Sequence, residues 1–593
     1  MSTPAPPAAA PRALPRLPWR DLAVAGGYLA GAVVVFSHLW SDPAGVILAD
    51  NPQDYTQFEW VLEHAARSVT HLENPLITYR LNSPDGVNMI ANTSMLGATI
   101  PLIPVTLLFG PTVALALLLT LAMAGTATAW YHLLSRHLVH SRVAAVVGGA
   151  FCGFGPGLIS HANAHPNILA QFVLPVLLWQ VLRLREPGRA LRGGIVVGLL
   201  VVYQAFLNEE LLFVTALALA VFVAAYATMR PTQVRSAVAP FLRGAGVALA
   251  VAVPLLAYPL WVQFFGPQHY HGLPGVVADY AADLGSYPAF PRASLAGHSD
   301  AANRLAQGPT EENAFFGWPL LVLTTVIVGW LGREAVVRAL AVTGAVFALF
   351  SLGSTVIIDG EKTTIPGPWA LLDKLPVFDL VLTTRLALVV TAVLGLLLAI
   401  SIDRASTLGR VSALDRGAAP VRLLWLGAVL AALLPLVPTP LPAVARPRVP
   451  HFITAGTWRQ YVQHDDQTLV PLPLGWWGEL TAMRWAAQAR LEFRIPNGYF
   501  LGPDPAYPDQ TIFGTRQPPT SELILDVEAT GQVPPIGDTE RAQARVDLRR
   551  WNAAIVVVPA DHPRVDALRQ ALDQLLGPGR LVDDVWLWDV GAL

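Results

Sequence analysis

Long uninterrupted apolar blocks dominate the chain, and a block of about 20 mostly apolar residues can cross a bilayer as a helix. About eleven blocks approach that length: 22–40, 112–134, 143–160, 166–184, 193–208, 211–229, 244–266, 314–332, 337–358, 384–402 and 421–441. Hiding so much apolar surface is beyond a water-soluble globule of ordinary composition. Of 593 residues, 53% are hydrophobic and only 13% charged, whereas soluble domains carry about a quarter charged side chains. The net charge of −2 gives no global field to recruit polyanions, so nucleic acid is not an expected partner. The single cysteine, Cys152, lies in an apolar run, which excludes disulfides, cysteine zinc sites and iron–sulfur clusters. The expected class is an α-helical polytopic membrane protein whose constant partner is the lipid bilayer.

Segment 95–110 is also apolar, but Pro101, Pro104 and Gly110-Pro111 interrupt it. It reads as re-entrant or interfacial. With the N-terminus cytoplasmic, the inner loops then collect Arg12, Arg16, Arg20, Arg136, Arg142, Arg183 to Arg192, Arg230 to Arg243, Arg333, Arg338 and Arg404 to Arg422. The outer loops hold Arg67, Arg80, Arg292, Arg304, Lys362, Lys374 and Arg385. Cytoplasmic loops carry the Lys/Arg excess, so the long loops 41–94 and 267–313 and the tail are expected outside. Residues 1–20 are Pro/Ala-rich and expected to be disordered. The first block is too long for a signal-peptide core and reads as a retained span. Residues 21–444 form the transmembrane domain, and 445–593 change in character. Short apolar runs at 468–472, 491–495, 523–527, 554–558 and 585–590 read as strands, with helical patterns near 478–490, 540–552 and 564–576. That interleaving predicts a C-terminal extracytoplasmic α/β domain.

The first outer loop is the richest in chemistry. It reads Ala49-Asp50-Asn51-Pro52-Gln53-Asp54-Tyr55-Thr56-Gln57-Phe58-Glu59-Trp60. Asp50 and Asp54 share a face if the turn is helical. Such a pair is suited to deprotonating a hydroxyl or holding a divalent cation such as Mg, Mn or Ca. The plainer reading is that Asp50 caps a helix and Asp54 is solvated. His161 and His165 stand four apart beside Asn163 and Asn167, a spacing suited to a phosphate or a metal. A third ligand must come from elsewhere, and the alternative is a polar cap on a helix starting near Pro166. Gln204 and Asn208-Glu209-Glu210 divide a nearly continuous apolar stretch; they form either a polar pocket or a short exposed turn. Arg385 opens a span on its outer side, where a planar guanidinium suits a phosphate or anchors to headgroups. Phosphate-binding glycine loops and nucleophile elbows are absent from the sequence. An energy-rich group used at the outer face would then arrive on a lipid.

This layout resembles the GT-C superfamily of polytopic glycosyltransferases: an inside N-terminus, an acidic first outer loop, about eleven spans and an outer C-terminal domain. More narrowly it resembles a group of actinobacterial integral membrane proteins. The shared motifs here are Asp54-Tyr55-Thr56-Gln57-Phe58-Glu59-Trp60, Asn74-Pro75, Pro84-Asp85-Gly86-Val87-Asn88 and Asn92-Thr93-Ser94. Further on come Gly153-Phe154-Gly155-Pro156, His165-Pro166-Asn167, Gln204, Glu209-Glu210, Pro366-Gly367-Pro368-Trp369, Leu375-Pro376, Arg385 and Phe493-Arg494-Ile495-Pro496-Asn497-Gly498-Tyr499. In the group the acid follows Gly and precedes Pro; here Gln53 and Tyr55 flank Asp54, so Asp50 stays a rival.

The resemblance implies sugar transfer from a polyprenyl-phosphate donor to a glycan, glycolipid or protein acceptor at the outer face. Asp54, or Asp50, would be the general base. Arg385 and His165 would meet the donor phosphate, with Lys362 and Lys374 weaker candidates. His161, Asn167, Gln204, Glu209 and Glu210 would line the polar pocket, and a divalent cation is not required. Two rival functions remain: a lipid-linked glycan transporter or flippase, which would favour internal repeats, and an inactive envelope-assembly protein. Trp476, Trp477, Trp485, Tyr499 and Phe500 read as the core of the C-terminal domain.

Overall fold

The computed structural model describes residues 19–591 apart from 279, 412–417, 477 and 508–509. The N-terminal Pro/Ala stretch, Arg416 and Trp477 thus lie outside the described residues. Every apolar block carries a helix: α1 (Trp19–Val35), then, after a polar-loop helix α2 (Pro52–Thr70), α3 (Pro111–Leu133), α4 (Arg142–Phe154), α5 (Val173–Arg183) and α6 (Ala190–Ala205). Next come α7 (Glu209–Met229), α8 (Pro231–Phe265), α9 (Trp318–Leu331), α10 (Ala335–Ser351), α11 (Ala387–Val411) and α12 (Ala418–Leu433). Among the described residues, five helical stretches are long and apolar enough to cross a membrane, Ile103–Leu138, Pro166–Arg183, Glu209–Met229, Pro231–Phe265 and Thr383–Thr407, and shorter apolar helices accompany them. The chain is a multi-pass membrane protein.

Punctuation within the blocks decides where helices stop. The 143–160 block breaks at Gly155-Pro156 and continues as a short helix Pro156–His161. The 337–358 block is helical only to Ser351. Its end, Thr355-Val356-Ile357-Ile358, is a strand, β2 (Thr355–Ile358), paired antiparallel with β3 (Glu361–Pro366). β-Branched residues before an Asp-Gly turn favour a hairpin. Segment 95–110 forms two short helices, Leu96–Thr99 and Ile103–Phe109, which pack on α2. Close approach of α6 and α8 rests on small residues. A Cβ on Gly194 would stand 2.5 Å from the Gly244 carbonyl oxygen, and one on Gly198 2.7 Å from that of Ala248.

Polar contacts fasten both ends of the bundle. At one, Asp21 accepts from Tyr131, Arg136 and Arg142. There Asp403 also accepts the backbone N–H groups of His140 and Ser141, and Arg404 pairs with Glu334. At the other, α2 and the long loops 41–94 and 267–313 meet the C-terminal region. Strand β1 (Val46–Leu48) pairs antiparallel with β4 (Ala443–Ala445), tying the first of these loops to the chain leaving the last apolar helix.

The C-terminal region is an α/β unit. Its four-stranded sheet contains β5 (Thr468–Pro471), β8 (Ala553–Pro559), β9 (Arg580–Val582) and β10 (Val585–Asp589) in the order β9-β10-β8-β5. Only the β8–β5 pair is parallel. A separate hairpin joins β6 (Leu501–Pro503) and β7 (Thr511–Phe513). Helices α13 (Thr481–Gln488), α15 (Asp538–Arg550) and α16 (Val565–Leu576) fall where the periodicity placed them. Two expected strands do not form. Residues 491–495 make only an isolated bridge, Arg494 to Thr468. Residues 523–527 lie inside helix α14 (Pro519–Thr530), which opens with Pro519, buries Ser521, Ile524 and Val527 at three-residue spacing, and ends at left-handed Gly531. Those are helix signals that outrank a short apolar run.

Candidate active site

Asn51 and Pro52 start α2. Pro52 occupies the first helical position, and the Asn51 Oδ1 caps the helix by accepting from the Asp54 amide at 3.3 Å. Proline there gives up an N–H with no helical partner. The Asn51 Nδ2 donates to Asp54 Oδ2 at 2.8 Å and to the Asn163 carbonyl at 3.0 Å. One cap residue thus orients the acid and ties α2 to the turn bearing both histidines. His165 Nε2 meets Asp54 Oδ2 at 2.5 Å, and the Tyr499 hydroxyl donates to Oδ1 at 2.9 Å. Burial alone would push the Asp54 carboxyl up. The charge of His165 and hydrogen bonds from His165, Asn51 and Tyr499 outweigh it and hold Asp54 below the usual carboxylate range. Burial and the Asp54 charge push the Tyr499 phenol well above its ordinary value, so it stays a donor.

His161 Nδ1 lies 3.0 Å from His165 Nδ1. With His165 neutral and its Nε2–H on Asp54, His161 donates this bond; with His165 protonated, His161 accepts it. Burial, then the charges of His165 and Arg385, lower the His161 pKa far below its ordinary value, so His161 stays neutral.

Arg385 stands in a short turn, Thr383–Leu386, that leads into α11. Its NH2 and Nε reach Glu311 Oε1 at 2.7 and 3.1 Å, and its NH1 reaches Glu210 Oε2 at 2.8 Å. Asn313 Nδ2 steadies Glu311 from the other side at 2.9 Å. The side chains of Arg385 and Glu311 are 15% and 3% exposed, so this is a buried ion cluster, in which each charge needs its partners. Tyr280, held by Thr383 and Thr384 through its carbonyl, feels the charges of Glu311, Arg385 and Asp54 together. Ligand atoms of His161, His165 and Glu311 lie within 4.8 Å of one another, so the Asp54 and Arg385 groups belong to one polar cluster, the chamber of the site.

The expected residues divide around it. Asp54, His161, His165, Glu210 and Arg385 converge. Asp50 instead lies beside Glu312, which Arg292 holds. Glu209 turns to α8, where Gln263 donates to it at 2.7 Å. Gln204 is buried and donates to the Asn208 carbonyl at 3.1 Å, and Lys362 stands on the exposed strand β3. Glu311, Asn51, Asn313 and the site role of Tyr499 were not read from the sequence. The adjacent acids Glu311-Glu312 before the ninth helix repeat the Glu209-Glu210 pattern and were the available signal.

Several buried polar atoms lack a protein partner: Asn163 Oδ1, Asn167 Oδ1, Gln204 Oε1, Glu210 Oε1, Asn313 Oδ1 and His161 Nε2. All but the imidazole nitrogen are acceptors only. Ligand atoms of His161, His165 and Glu311 lie within 4.8 Å of one another, a spacing a divalent cation could bridge. However, Arg385 and Asn313 already occupy the Glu311 carboxylate, and Asp54 and His161 occupy both nitrogens of His165. Within the triad these partners leave a cation one free ligand atom, His161 Nε2; any further ligands would come from the unpartnered oxygens around it, such as Glu210 Oε1 and Asn313 Oδ1.

An apolar crevice of about 200 Å³ lies within the helix bundle. Its walls include Leu211 and Ala218 of α7, Leu340 of α10, and Leu388, Ala392 and Ile400 of α11. Leu211 follows Glu210 directly, and Leu388 lies one helical turn past Arg385.

No protein-family model matches the chain, and no curated protein matches it in sequence. Solved structures do. The arabinofuranosyltransferase AftD from Mycobacteria aligns with 97% of this chain at 15% identity and a TM-score of 0.52. This chain spans 40% of the AftD length. The oligosaccharyltransferase AglB from Archaeoglobus fulgidus aligns at 13% identity over 94% of this chain and 71% of its own, with a TM-score of 0.48. ArnT from Cupriavidus metallidurans aligns at 12% identity over 97% and 98%, with a TM-score of 0.45. At 15% identity the AftD likeness shows the fold alone: this chain shares the architecture of that arabinofuranosyltransferase.

Proposed function

We propose that the chain transfers a sugar from a polyprenyl-phosphate donor to a glycan, glycolipid or protein acceptor at the outer face of the bacterial cytoplasmic membrane. The observation that carries this reading is an ionised carboxylate, Asp54, hydrogen-bonded within a buried polar cluster, in a bundle that also holds an apolar crevice. The crevice suits an isoprenoid chain, and the unpartnered acceptor oxygens suit the hydroxyl groups of a sugar. The acceptor hydroxyl meets Asp54, which takes its proton as the oxygen attacks the anomeric carbon and the polyprenyl phosphate departs. His165 and Tyr499 hold the carboxylate in place. The phosphate is assigned to Arg385. There Glu210 is the exchangeable partner, because it makes one contact with the guanidinium whereas Glu311 makes several. Lys362 is left as a weaker phosphate candidate.

The topology follows from the same picture. All eleven apolar helices cross in this reading, with 1–20 cytoplasmic, 21–444 in the membrane and 445–593 outside. The gathering of Arg136, Arg142 and Arg404 at the end opposite Asp54 supports it. The test is turnover of polyprenyl-phosphate sugars by the chain in bilayer discs. Asp54→Asn, which keeps the shape of the side chain, should lower the rate by roughly 10²–10⁴-fold without changing the unfolding temperature. Unaltered turnover in Asp54→Asn, Asp50→Asn and the double variant would overturn the proposal. Movement of the lipid across the bilayer without sugar transfer would favour a transporter.

A further inference from the structure

Residues 355–380 link α10 to α11 at the chamber end of the bundle, and they have two unlike sides. The β2–β3 turn is pinned from beneath, where Asp283 Oδ1 and Oδ2 accept the amides of Asp359 and Gly360 at 3.1 and 2.7 Å. Two rings point inward. Trp369 is buried and meets Phe350 of α10 with ring centroids 5.6 Å apart; Phe378 meets Phe213 of α7 at 5.0 Å. The segment therefore straddles the outer ends of two helices whose deeper turns wall the crevice. Its other side is uncovered and amphipathic: Leu371 is 84% exposed and Ile365 53%, with Leu375 and Val377 exposed beside them, among the exposed polar groups Glu361, Lys362, Lys374 and Asp379. Bare aliphatic groups interleaved with charges suit a boundary between apolar and aqueous phases.

We propose that this segment inserts into the outer leaflet, its partner being the boundary between acyl chains and headgroups. Lys374 stands here, exposed. A lysine stem lies along apolar surface while its ammonium reaches the headgroup phosphates. The acids do not oppose this placement. Asp359 pairs with Arg304 at 2.9 Å and Asp373 accepts from Ser354 at 2.6 Å. The water boundary then falls at Glu361 and Asp379, which are both exposed. The placement is continuous with the apolar flanks of α7 and α10 and needs no assumption about the reaction.

The test uses a Cys152→Ser background with Leu371→Cys or Leu375→Cys, each labelled with an environment-sensitive fluorophore and reconstituted in vesicles of phosphatidylcholine and phosphatidylglycerol. Leu581→Cys, on exposed β9, is the control. Spin-labelled lipid should quench residues 371 and 375 at least threefold more than aqueous iodide does, and the order should reverse at 581. Iodide quenching at 371 and 375 equal to that at 581 overturns the proposal. A second measurement needs no substitution: a lipid-borne carbene should label peptides covering 362–377 and leave those covering 580–583 unlabelled. Label confined to the helices, with none on 362–377, overturns it equally.

Discussion

Glu63 and His64 are neighbours in α2 with opposite responses to burial. Burial raises the Glu63 carboxyl to about 7 against the partial relief of Arg490 and Arg67. Burial lowers His64 to about 4 although the Pro75 carbonyl accepts from its ring. Between the ordinary carboxyl value of 4.5 and about 7, the unfolded chain holds fewer protons at Glu63 than the folded chain, so stability falls as pH rises. At His64 the unfolded chain holds more protons from about 4 to 6.5, so stability is lost as pH falls. The two slopes offset one another below 6.5, and above it only Glu63 acts. Glu63→Gln should therefore raise stability by about 2–3 kcal/mol at pH 8 and much less at pH 5, read as unfolding temperature in bilayer discs. An equal gain at both pH values would show that Glu63 is not the titrating group. Residue roles were legible where the signal was local. A helix start was expected in the first long loop with Asp50 as its cap; the cap is Asn51, one residue on, which places Asp54 in the first turn. The counter-ions of Arg385 were not legible, because nothing in a loop sequence shows which of 41 acidic residues will face a buried guanidinium.

The element that completes the site is the β6–β7 hairpin with the residues leading into it. Tyr499 stacks on Phe513 of β7, with ring centroids 5.7 Å apart. Asn92 of the first outer loop clamps Leu501 of β6 from both sides: its Oδ1 accepts from the Leu501 amide at 2.6 Å and its Nδ2 donates to the carbonyl at 2.8 Å. Thr511 of β7 donates to the His271 carbonyl at 2.6 Å. The hairpin is thus tied to both long outer loops, and it carries the phenol that touches Asp54. Losing one hydrogen bond to a charged group is worth about 1.5–3 kcal/mol, so Tyr499→Phe should lower kcat by roughly 10–100-fold with little change in KM for the donor. Asn92→Ala should show a smaller loss in the same parameter. The pair should be less than additive, because both act through the position of one ring; full additivity would mean that Asn92 works elsewhere. Tyr499 belonged to a run of aromatics expected to form the core of the C-terminal domain. Its neighbour Phe500 does so, being 2% exposed. A change of role between adjacent residues is set by where the hairpin docks, and local periodicity does not carry that information.

Over the whole molecule, the chamber draws on parts distant in sequence: α2, the two-histidine turn, the loop before α9, the turn before α11 and the C-terminal domain. The membrane blocks were the most legible feature, because each apolar run must become a helix to satisfy its backbone in lipid. Their breaks were less so, since Gly155-Pro156 and the Thr355–Ile358 strand sit inside runs that hydropathy treats as continuous. The crevice between α5, α7, α10 and α11 was not visible at all; it is a property of how those helices lean on one another. It supplies a test of the division of labour between membrane and chamber. Ala218 of α7 lines the crevice at a distance from the polar cluster, and Ala218→Trp would fill it. If the crevice holds the isoprenoid chain, this variant should raise KM at least tenfold for a long-chain polyprenyl-phosphate sugar. A short-chain donor, whose tail ends before residue 218, should keep its wild-type KM, and kcat should change little for either. An equal loss with both donors would place the damage in helix packing, and an unchanged KM with the long donor would move the lipid to another face of the bundle while leaving the role of Asp54 intact.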